Sequence, residues 1–192
     1  MLSDAHDAET LARSVDEPDH FAVFYRAHVA TILRYLRGRL SPDLAEDATH
    51  EVFLRAFRQR ASYEPRFPTA RPWLYGIAAN VVADHHRNEV RRLRALERES
   101  QAAAHQGQPR FATDTPDLSP ELAAALRRLT LGDREALLLT VWGELSYEET
   151  AAALDIAIGT VRSRIARARA FLRAELAGTS TQQPNPKGGL RV

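Results

Sequence analysis

The sequence predicts an all-α protein made of two small helical domains joined by a flexible linker. Three observations predict this fold. Apolar residues recur at spacings of three and four in two blocks, helix-start signals precede the helices of both blocks, and residues 100–118 lose the apolar period and gather Gln, Pro, Thr and Asp. We therefore divide the chain into an acidic leader (1–18), a first domain (19–98), a linker (99–118), a second domain (119–177) and a tail (178–192).

Composition limits the class of protein. The chain has no cysteine, which excludes disulfides and thiolate metal sites and fits a reducing compartment. No window approaches 18 consecutive apolar residues, and the start MLSDAHDAET lacks the basic and apolar regions of a signal peptide. We expect a cytoplasmic protein that does not bind a membrane.

The leader and the first two helices have distinct signatures. Residues 1–18 are acidic and lack an apolar period, so we expect a disordered leader, and we expect the same of the Pro- and Gly-containing tail. From about Asp19 to near Gly38, apolar residues recur with the period of an amphipathic helix. Ser41 then acts as N-cap and Pro42 occupies the first turn of a second helix.

The polar face of this second helix carries charge of both signs. Its first half is acidic and its second half is basic, in the order Glu46, Asp47, His50, Glu51, Arg55 and Arg58. Complementarity to the helix dipole accounts for such an order by itself. The pattern alone leaves open whether this face has a further role.

A proline-rich loop follows at residues 63–72. Three prolines in eight residues exclude a helix there, and aromatic residues alternate with arginines. Such a loop could stack unpaired bases or could pack its rings on the domain beneath it. Pro72 then begins a helix with a buried apolar stripe, and Asn80 lies in the middle of that helix, where a specific hydrogen bond would explain it.

The second domain ends in a helix-turn-helix pattern. Ser119 and Pro120 start its first helix, and Trp142 in the next helix is expected in the core. Ser146 with Glu149 forms a capping box for the following Ala-rich helix. We expect Gly159 to allow the corner and Thr160 to cap the last helix.

The last helix has one face suited to DNA. Its apolar stripe of Val161, Ile165, Ala168 and Leu172 must pack inward. The opposite side has small residues in the centre with arginines on both shoulders: Ser163, Ala166 and Ala170 between Arg162, Arg169 and Arg173 on one side and Arg164 and Arg167 on the other. A backbone can approach base edges there while guanidinium groups reach phosphates or a guanine. A solvated basic helix is the simpler alternative.

No pattern predicts catalysis, a metal site, a cofactor or a small-molecule substrate. His50-Glu51 resembles the opening of a zinc-protease motif, but Leu54 stands where the second His is required. His85 and His86 are adjacent on a helix and point about 100° apart. The protein is therefore not expected to be an enzyme.

Four segments together resemble the small extracytoplasmic-function group of bacterial sigma factors, in the sigma-70 family. AEDATHEVFLRAF (45–57) and PWLYGIAANVVADHHR (72–87) resemble region 2 of that group. LSYEE (145–149) and GTVRSR (159–164) resemble region 4. The order, the spacing and the intervening linker agree over about residues 19 to 176.

The resemblance implies partners and functional residues. A region 2 helical bundle would bind core RNA polymerase and the unpaired −10 strand, a region 4 helix-turn-helix would read the −35 duplex, and an inhibitory anti-sigma factor is expected from the family. The polymerase-binding residues implied are Asp47, His50, Glu51, Phe53 and Arg55. Those implied for the −10 strand are Tyr63, Arg66, Phe67, Arg71, Trp73, Asn80, Asp84 and Arg87. Those implied for the −35 duplex are Thr160, Arg162, Ser163, Arg164, Ala166, Arg167 and Arg169.

The alternative function is a helix-turn-helix transcription regulator that is not a polymerase subunit. It accounts for the second domain but gives no role to the aromatic loop or to the charged face of the first domain.

Overall fold

The computed structural model describes residues 6–99 and 118–180. Within these two ranges the chain forms eight α-helices and no strand, which confirms the all-α prediction. Residues 100–117 of the predicted linker, the first five residues of the leader and residues 181–192 of the predicted tail lie outside the described residues. The last helix continues to Ser180, three residues beyond the predicted end of the second domain.

The prediction of a disordered leader is wrong for residues 7–16. They form helix α1 (Asp7–Asp16), in which Leu11 is fully buried. The signal was weak because Leu11 is the only large apolar residue on the inner face, and Thr10 and Ser14 complete that face. Burying Ser14 costs little because its hydroxyl donates to the Leu11 carbonyl at 2.7 Å.

Helices α2 (Phe21–Arg37), α3 (Pro42–Gln59) and α4 (Arg71–Glu99) complete the first domain. Their apolar stripes meet in one core that includes Phe24, Ile32, Val52, Leu74 and Val81. Helix α3 ends in a short 3-10 turn (Arg60–Ser62), and the proline-rich loop follows it as predicted. The loop therefore connects the end of α3 to the start of α4.

The second domain contains α5 (Pro120–Arg128), α6 (Leu131–Val141), α7 (Tyr147–Leu154) and α8 (Ile158–Ser180). Its core joins Leu126, Leu137 and Leu138 to the inner stripe of α8, where Val161, Ile165 and Ala168 are buried as predicted. The predicted capping box at Ser146 is also confirmed. The Ser146 hydroxyl accepts from Glu149 N at 3.1 Å, and the Glu149 carboxylate accepts from Ser146 N at 2.8 Å.

The corner between α7 and α8 differs from the prediction. Helix α7 ends at Asp155 in the left-handed region (φ 51°), and Ile156 N donates to the Ala151 carbonyl at 3.1 Å, as in a Schellman motif. An Asp tolerates this conformation, so Gly159 is not needed for the turn. Helix α8 starts two residues before Thr160, which is therefore inside its first turn and does not cap it.

The two domains pack against each other. Leu139 and Leu145 of the second domain belong to the core of the first, and α7 lies along α4. The helices approach closely because Gly76 has no side chain: a Cβ there would lie 2.9 Å from the Ala153 carbonyl oxygen. Trp142, predicted in the core, is half-buried and lies against Gly38 between the domains.

Candidate nucleic-acid interface

The outer face of α8 is open to solvent along the predicted stripe of small residues. Arg162, Ser163, Ala166, Arg169 and Ala170 are all exposed. The Ser163 hydroxyl turns back to the Thr160 carbonyl at 2.9 Å, so the centre of the face is flat. A helix of this shape can bring its backbone close to base edges in a major groove.

The two shoulders of this face are not equivalent. Arg167 donates to both carboxylate oxygens of Asp133, at 2.7 and 3.3 Å, and this hydrogen bonding raises the pKa of Arg167. Arg164 is half-buried over Gly132, at the start of α6. Both arginines therefore tie α8 to α6. Arg162 and Arg169 form the shoulder that faces outward.

The Asp133 contact was not foreseen from the sequence. Asp133 lies in the first turn of α6, where its backbone N–H donates to the Thr130 hydroxyl at 3.2 Å. Its side chain is 10% exposed, against 60% for that of Arg167. The only signal available was an acidic residue three positions after a Thr, which ordinarily indicates the start of a helix and nothing more.

The proline-rich loop encloses a cleft of about 360 Å³. Its walls include Tyr63, Arg66, Phe67 and Trp73, which the sequence predicted together. The centroids of the Tyr63 and Trp73 rings lie 5.0 Å apart, with an angle of 54° between the ring planes. The pKa of the Tyr63 hydroxyl is raised, mainly by burial and to a lesser extent by the nearby charge of Asp7. Aromatic walls with an exposed arginine at the rim can stack a flat, anionic ligand such as a nucleotide.

One wall of the cleft comes from the second domain. Ala152 of α7 lines it, because α7 lies along α4. Arg71 does not line the cleft with the other predicted residues. Its guanidinium donates to the Gly143 carbonyl at 2.5 Å and lies 3.6 Å from Glu144, so it contacts the second domain.

Further along α4, the predicted residues divide into an exposed amide and an ionic network. Asn80 is exposed, two turns after Trp73. Asp84 accepts from Arg55 at 2.9 Å and also pairs with Arg87, and the hydrogen bond from Arg55 is the main reason that the pKa of Asp84 is lowered. Arg55 is predicted to contact polymerase, whereas Asp84 and Arg87 are predicted to contact the −10 strand. The three side chains nevertheless form one ionic network.

Helix α3 presents a mixed surface that the sequence indicated only in part. Asp47 and His50 are exposed, and Glu51 accepts from Arg55 at 2.5 Å. Two large apolar residues on the same helix, Leu44 and Leu54, are 44% and 48% exposed. At 100° per residue both lie within about 60° of Asp47 and Glu51, so charged and apolar groups form one outward stripe.

Phe53, one of the predicted polymerase-binding residues, is buried in the core. Its ring packs against Tyr25 at a centroid distance of 4.7 Å. Phe53 therefore packs α3 against the core of the first domain. Leu54, its neighbour, holds the outward position that the sequence pattern had not singled out.

Neither a membrane span nor a metal site is found in residues 6–99 and 118–180. None of their helices is both long enough and apolar enough to cross a bilayer. They also contain no group of three His, Asp or Glu side chains that could hold a metal ion.

Comparisons with known proteins match both domains. The family description "Sigma-70 region 2" matches residues 24–92, and "Sigma-70, region 4" matches residues 119–172. The chain is 37% identical over 155 residues to the ECF RNA polymerase sigma factor SigC of Mycobacterium tuberculosis, covering 79% of this chain and 80% of that protein. It is 33% identical over 143 residues to the ECF RNA polymerase sigma factor SigW of Bacillus subtilis, covering 69% of this chain and 75% of that protein.

Two solved structures have a similar fold. The sigma factor RpoE of Bartonella quintana, in complex with the anti-sigma factor NepR, matches with a TM-score of 0.62 and 27% identity over 80% of this chain and 96% of that chain. CnrH, in complex with the cytosolic domain of CnrY, matches with a TM-score of 0.62 and 24% identity over 90% of this chain and 97% of that chain.

Proposed function

We propose that this chain divides promoter recognition between its two domains. The chain belongs to the extracytoplasmic-function group of the sigma-70 family of RNA polymerase sigma factors. A sigma factor directs polymerase to promoters. In this chain α8 reads the −35 element as duplex, the loop cleft of the first domain holds an unpaired base of the −10 element, and α3 docks core polymerase. The site of action is the cytoplasm, and the role is recognition rather than catalysis.

The observation that carries the proposal is the cleft at residues 62–73. Aromatic rings line it, an arginine stands at its rim, and it lies in the segment that matches region 2. An extruded base can stack between such rings, and extrusion costs only a few kcal/mol. A duplex-binding regulator would have no use for this cleft.

The −35 role is supported by the outward shoulder of α8. Arg162 and Arg169 are exposed beside a flat centre of Ser163 and Ala166. An arginine there can contact a guanine with two hydrogen bonds or a phosphate with one. Arg164 and Arg167 are held against α6, and we assign them to orienting α8 and to contacts with the DNA backbone.

The polymerase role is supported by the outward stripe of α3. Protein interfaces combine a fully buried apolar centre with a polar rim. Leu44 and Leu54 supply exposed apolar area, and Asp47, His50 and Glu51 supply the polar surroundings.

The packed arrangement of the domains cannot serve both promoter elements at once. Positions −10 and −35 are about 25 base pairs apart, which is about 85 Å at 3.4 Å per base pair. A compact chain of this length has a radius of gyration of about 16 Å. The domains must therefore separate when the chain binds a promoter, and α7 then leaves the cleft.

An inhibitory anti-sigma factor is a further proposed partner. The solved structure of RpoE from Bartonella quintana contains the anti-sigma factor NepR, and its chain is 27% identical to this one. A partner that stabilises the packed arrangement would keep both DNA-reading surfaces from acting together.

The test is reconstitution with core RNA polymerase. Core enzyme supplemented with this chain should start transcripts at a defined set of sites on genomic DNA, and sequencing the 5′ ends of those transcripts identifies the promoter. Core enzyme without the chain is the control. Tight binding to duplex DNA without any stimulated transcription would instead favour the helix-turn-helix regulator.

A further inference from the structure

Asp7 is a buried carboxylate at the start of the N-terminal helix. Its side chain is 9% exposed, and it contacts two other parts of the first domain. His28 Nε2 of α2 donates to Asp7 Oδ1 at 2.9 Å, and the backbone N–H of Ala70 donates to Asp7 Oδ2 at 3.0 Å. Both carboxylate oxygens are therefore used, as a buried charge requires.

Ala70 is the residue at which the cleft loop ends. Helix α4 begins at Arg71, and Leu74 N donates to the Ala70 carbonyl at 3.0 Å. The carboxylate of Asp7 thus lies at the N-terminus of α4, where the helix dipole favours a negative charge. It fixes the last residue of the loop to α1 and to α2 at the same time.

Helix α1 also holds the other end of the cleft loop. Arg60, in the 3-10 turn that precedes the loop, donates from Nε to the Ser14 carbonyl at 3.0 Å. Ser14 is fully buried one turn after Leu11. Helix α1 therefore contacts the chain immediately before the cleft loop and again at the last residue of the loop.

The Asp7 contact also reaches the aromatic walls of the cleft. The His28 ring lies 4.6 Å from that of Phe24, the Phe24 ring lies 6.4 Å from that of Trp73, and the Trp73 ring lies 5.0 Å from that of Tyr63. A carboxylate that orients His28 therefore sets the position of the first ring in this series.

We propose that α1 is a clasp for the cleft loop and that Asp7 is its positioning residue. This inference rests on the proposed function of the cleft in binding the −10 strand. Asp7 does not touch the DNA. It holds Ala70 and His28 so that Tyr63 and Trp73 are already placed when an unpaired base arrives, which reduces the ordering cost of binding.

The experiment compares Asp7→Ala with Asp16→Ala, a matched control. Asp16 is exposed on the same helix, and its substitution changes the net charge equally. The probes are a single-stranded oligonucleotide that carries the −10 sequence of a promoter mapped by 5′-end sequencing, and the −35 duplex of the same promoter. Holoenzyme assembled with each full-length variant is titrated with both.

We expect Asp7→Ala to weaken binding of the single strand about tenfold, because one or two side chains of the loop must then be ordered when the strand binds. Assembly with core polymerase and binding of the −35 duplex should stay at the wild-type level, and Asp16→Ala should change none of the three. Asp7→Asn keeps an oxygen for the Ala70 N–H and should recover part of the affinity. Wild-type affinity in Asp7→Ala, or equal losses in all three assays, would overturn the clasp.

A second measurement separates failure of the clasp from failure of the proposed function. Trp73 and Trp142 are the two tryptophans of the chain, so a Trp142→Phe background leaves Trp73 as the only fluorescent indole. Asp7→Ala in this background should raise the quenching of Trp73 by acrylamide, and Asp16→Ala should not. Unchanged quenching refutes the clasp even where the wild-type chain binds no single strand, whereas that lack of binding alone refutes the function of the cleft.

Discussion

Glu135 of the second domain is the residue whose substitution should most directly separate the two domains. Its carboxylate accepts from Arg39 Nε at 2.8 Å and from the Tyr35 hydroxyl at 2.6 Å, both in the first domain. The side chains of Arg39 and Glu135 are 0% and 8% exposed, and burial is the main reason that the pKa of Tyr35 is raised. The change that we consider is Glu135→Gln, which keeps the shape and removes the charge.

The free-energy cost of Glu135→Gln follows from the burial of Arg39. Removing one partner of a buried ion pair costs about 3–5 kcal/mol as long as the other charge stays buried. In this chain Arg39 can regain water if the domains part, so the cost is limited by the free energy of domain separation. An interface weaker than about 3 kcal/mol should open in most molecules, because every 1.4 kcal/mol changes the ratio of packed to open chains tenfold.

The assay is small-angle X-ray scattering of the free chain. The packed protein should have a radius of gyration near the value of about 16 Å expected for a compact chain of this length, apart from the contribution of the termini. Glu135→Gln should increase it, while Glu148→Gln, an exposed residue of the same domain, should not.

A double variant makes the reasoning refutable. Replacing both charges, with Arg39→Met and Glu135→Gln, removes the buried ion pair, keeps an acceptor for the Tyr35 hydroxyl and should restore much of the packing. An unchanged radius in Glu135→Gln, with no loss of thermal stability, would show that the buried pair does not hold the domains together.

Four further outcomes are expected. Arg162→Ala should weaken binding of the −35 duplex by about 1–3 kcal/mol if it contacts a guanine, and Arg167→Ala should have a smaller effect because Asp133 already holds that arginine, as measured by titration of labelled duplex. Asn80→Ala should reduce open-complex formation, detected by permanganate reactivity, without changing duplex binding. Leu54→Asp should lower affinity for core polymerase at unchanged melting temperature, because the side chain is exposed. Burial and the charge of Arg134 lower the pKa of His86, so the folded chain binds fewer protons than the unfolded chain as the pH falls. The free energy of unfolding should therefore decrease as the pH drops below about 6.5. Thermal scans at pH 5 to 8 should show this dependence in the wild-type chain and not in His86→Gln.

The helices of both domains could be predicted from the sequence because their apolar stripes are long. Ile165 and Val81 lie at helical spacing from their neighbours and are buried, as predicted. Helix α1 could not be predicted from its pattern, since one Leu is too little apolar surface to show a period. Its burial depends on Asp7, whose partners lie 21 and 63 residues away in the chain.

The outer face of α8 was predicted correctly as a surface, but the state of each arginine on it was not. Spacing on a helix gives the direction of a side chain and does not show what lies opposite. Arg162 faces solvent, whereas Arg167 forms an ion pair with Asp133. The sequence does not distinguish the two, because both are arginines on the polar side of the same helix. The difference arises from the packing of α6 on α8, which is a property of the folded domain.

The Ala-rich run of α7 acts on both domains. The sequence explains these residues as good helix formers, and the structure adds that their small side chains allow α7 to lie along α4, with the Ala153 carbonyl against Gly76. Ala152 in the same run lines the cleft. Packing of the domains therefore supplies one wall of the cleft, and binding of a promoter, which requires the domains to separate, removes that wall. Any contact that strengthens the packed arrangement, including that of Glu135 with Arg39, should lower the affinity for a promoter by the same free energy.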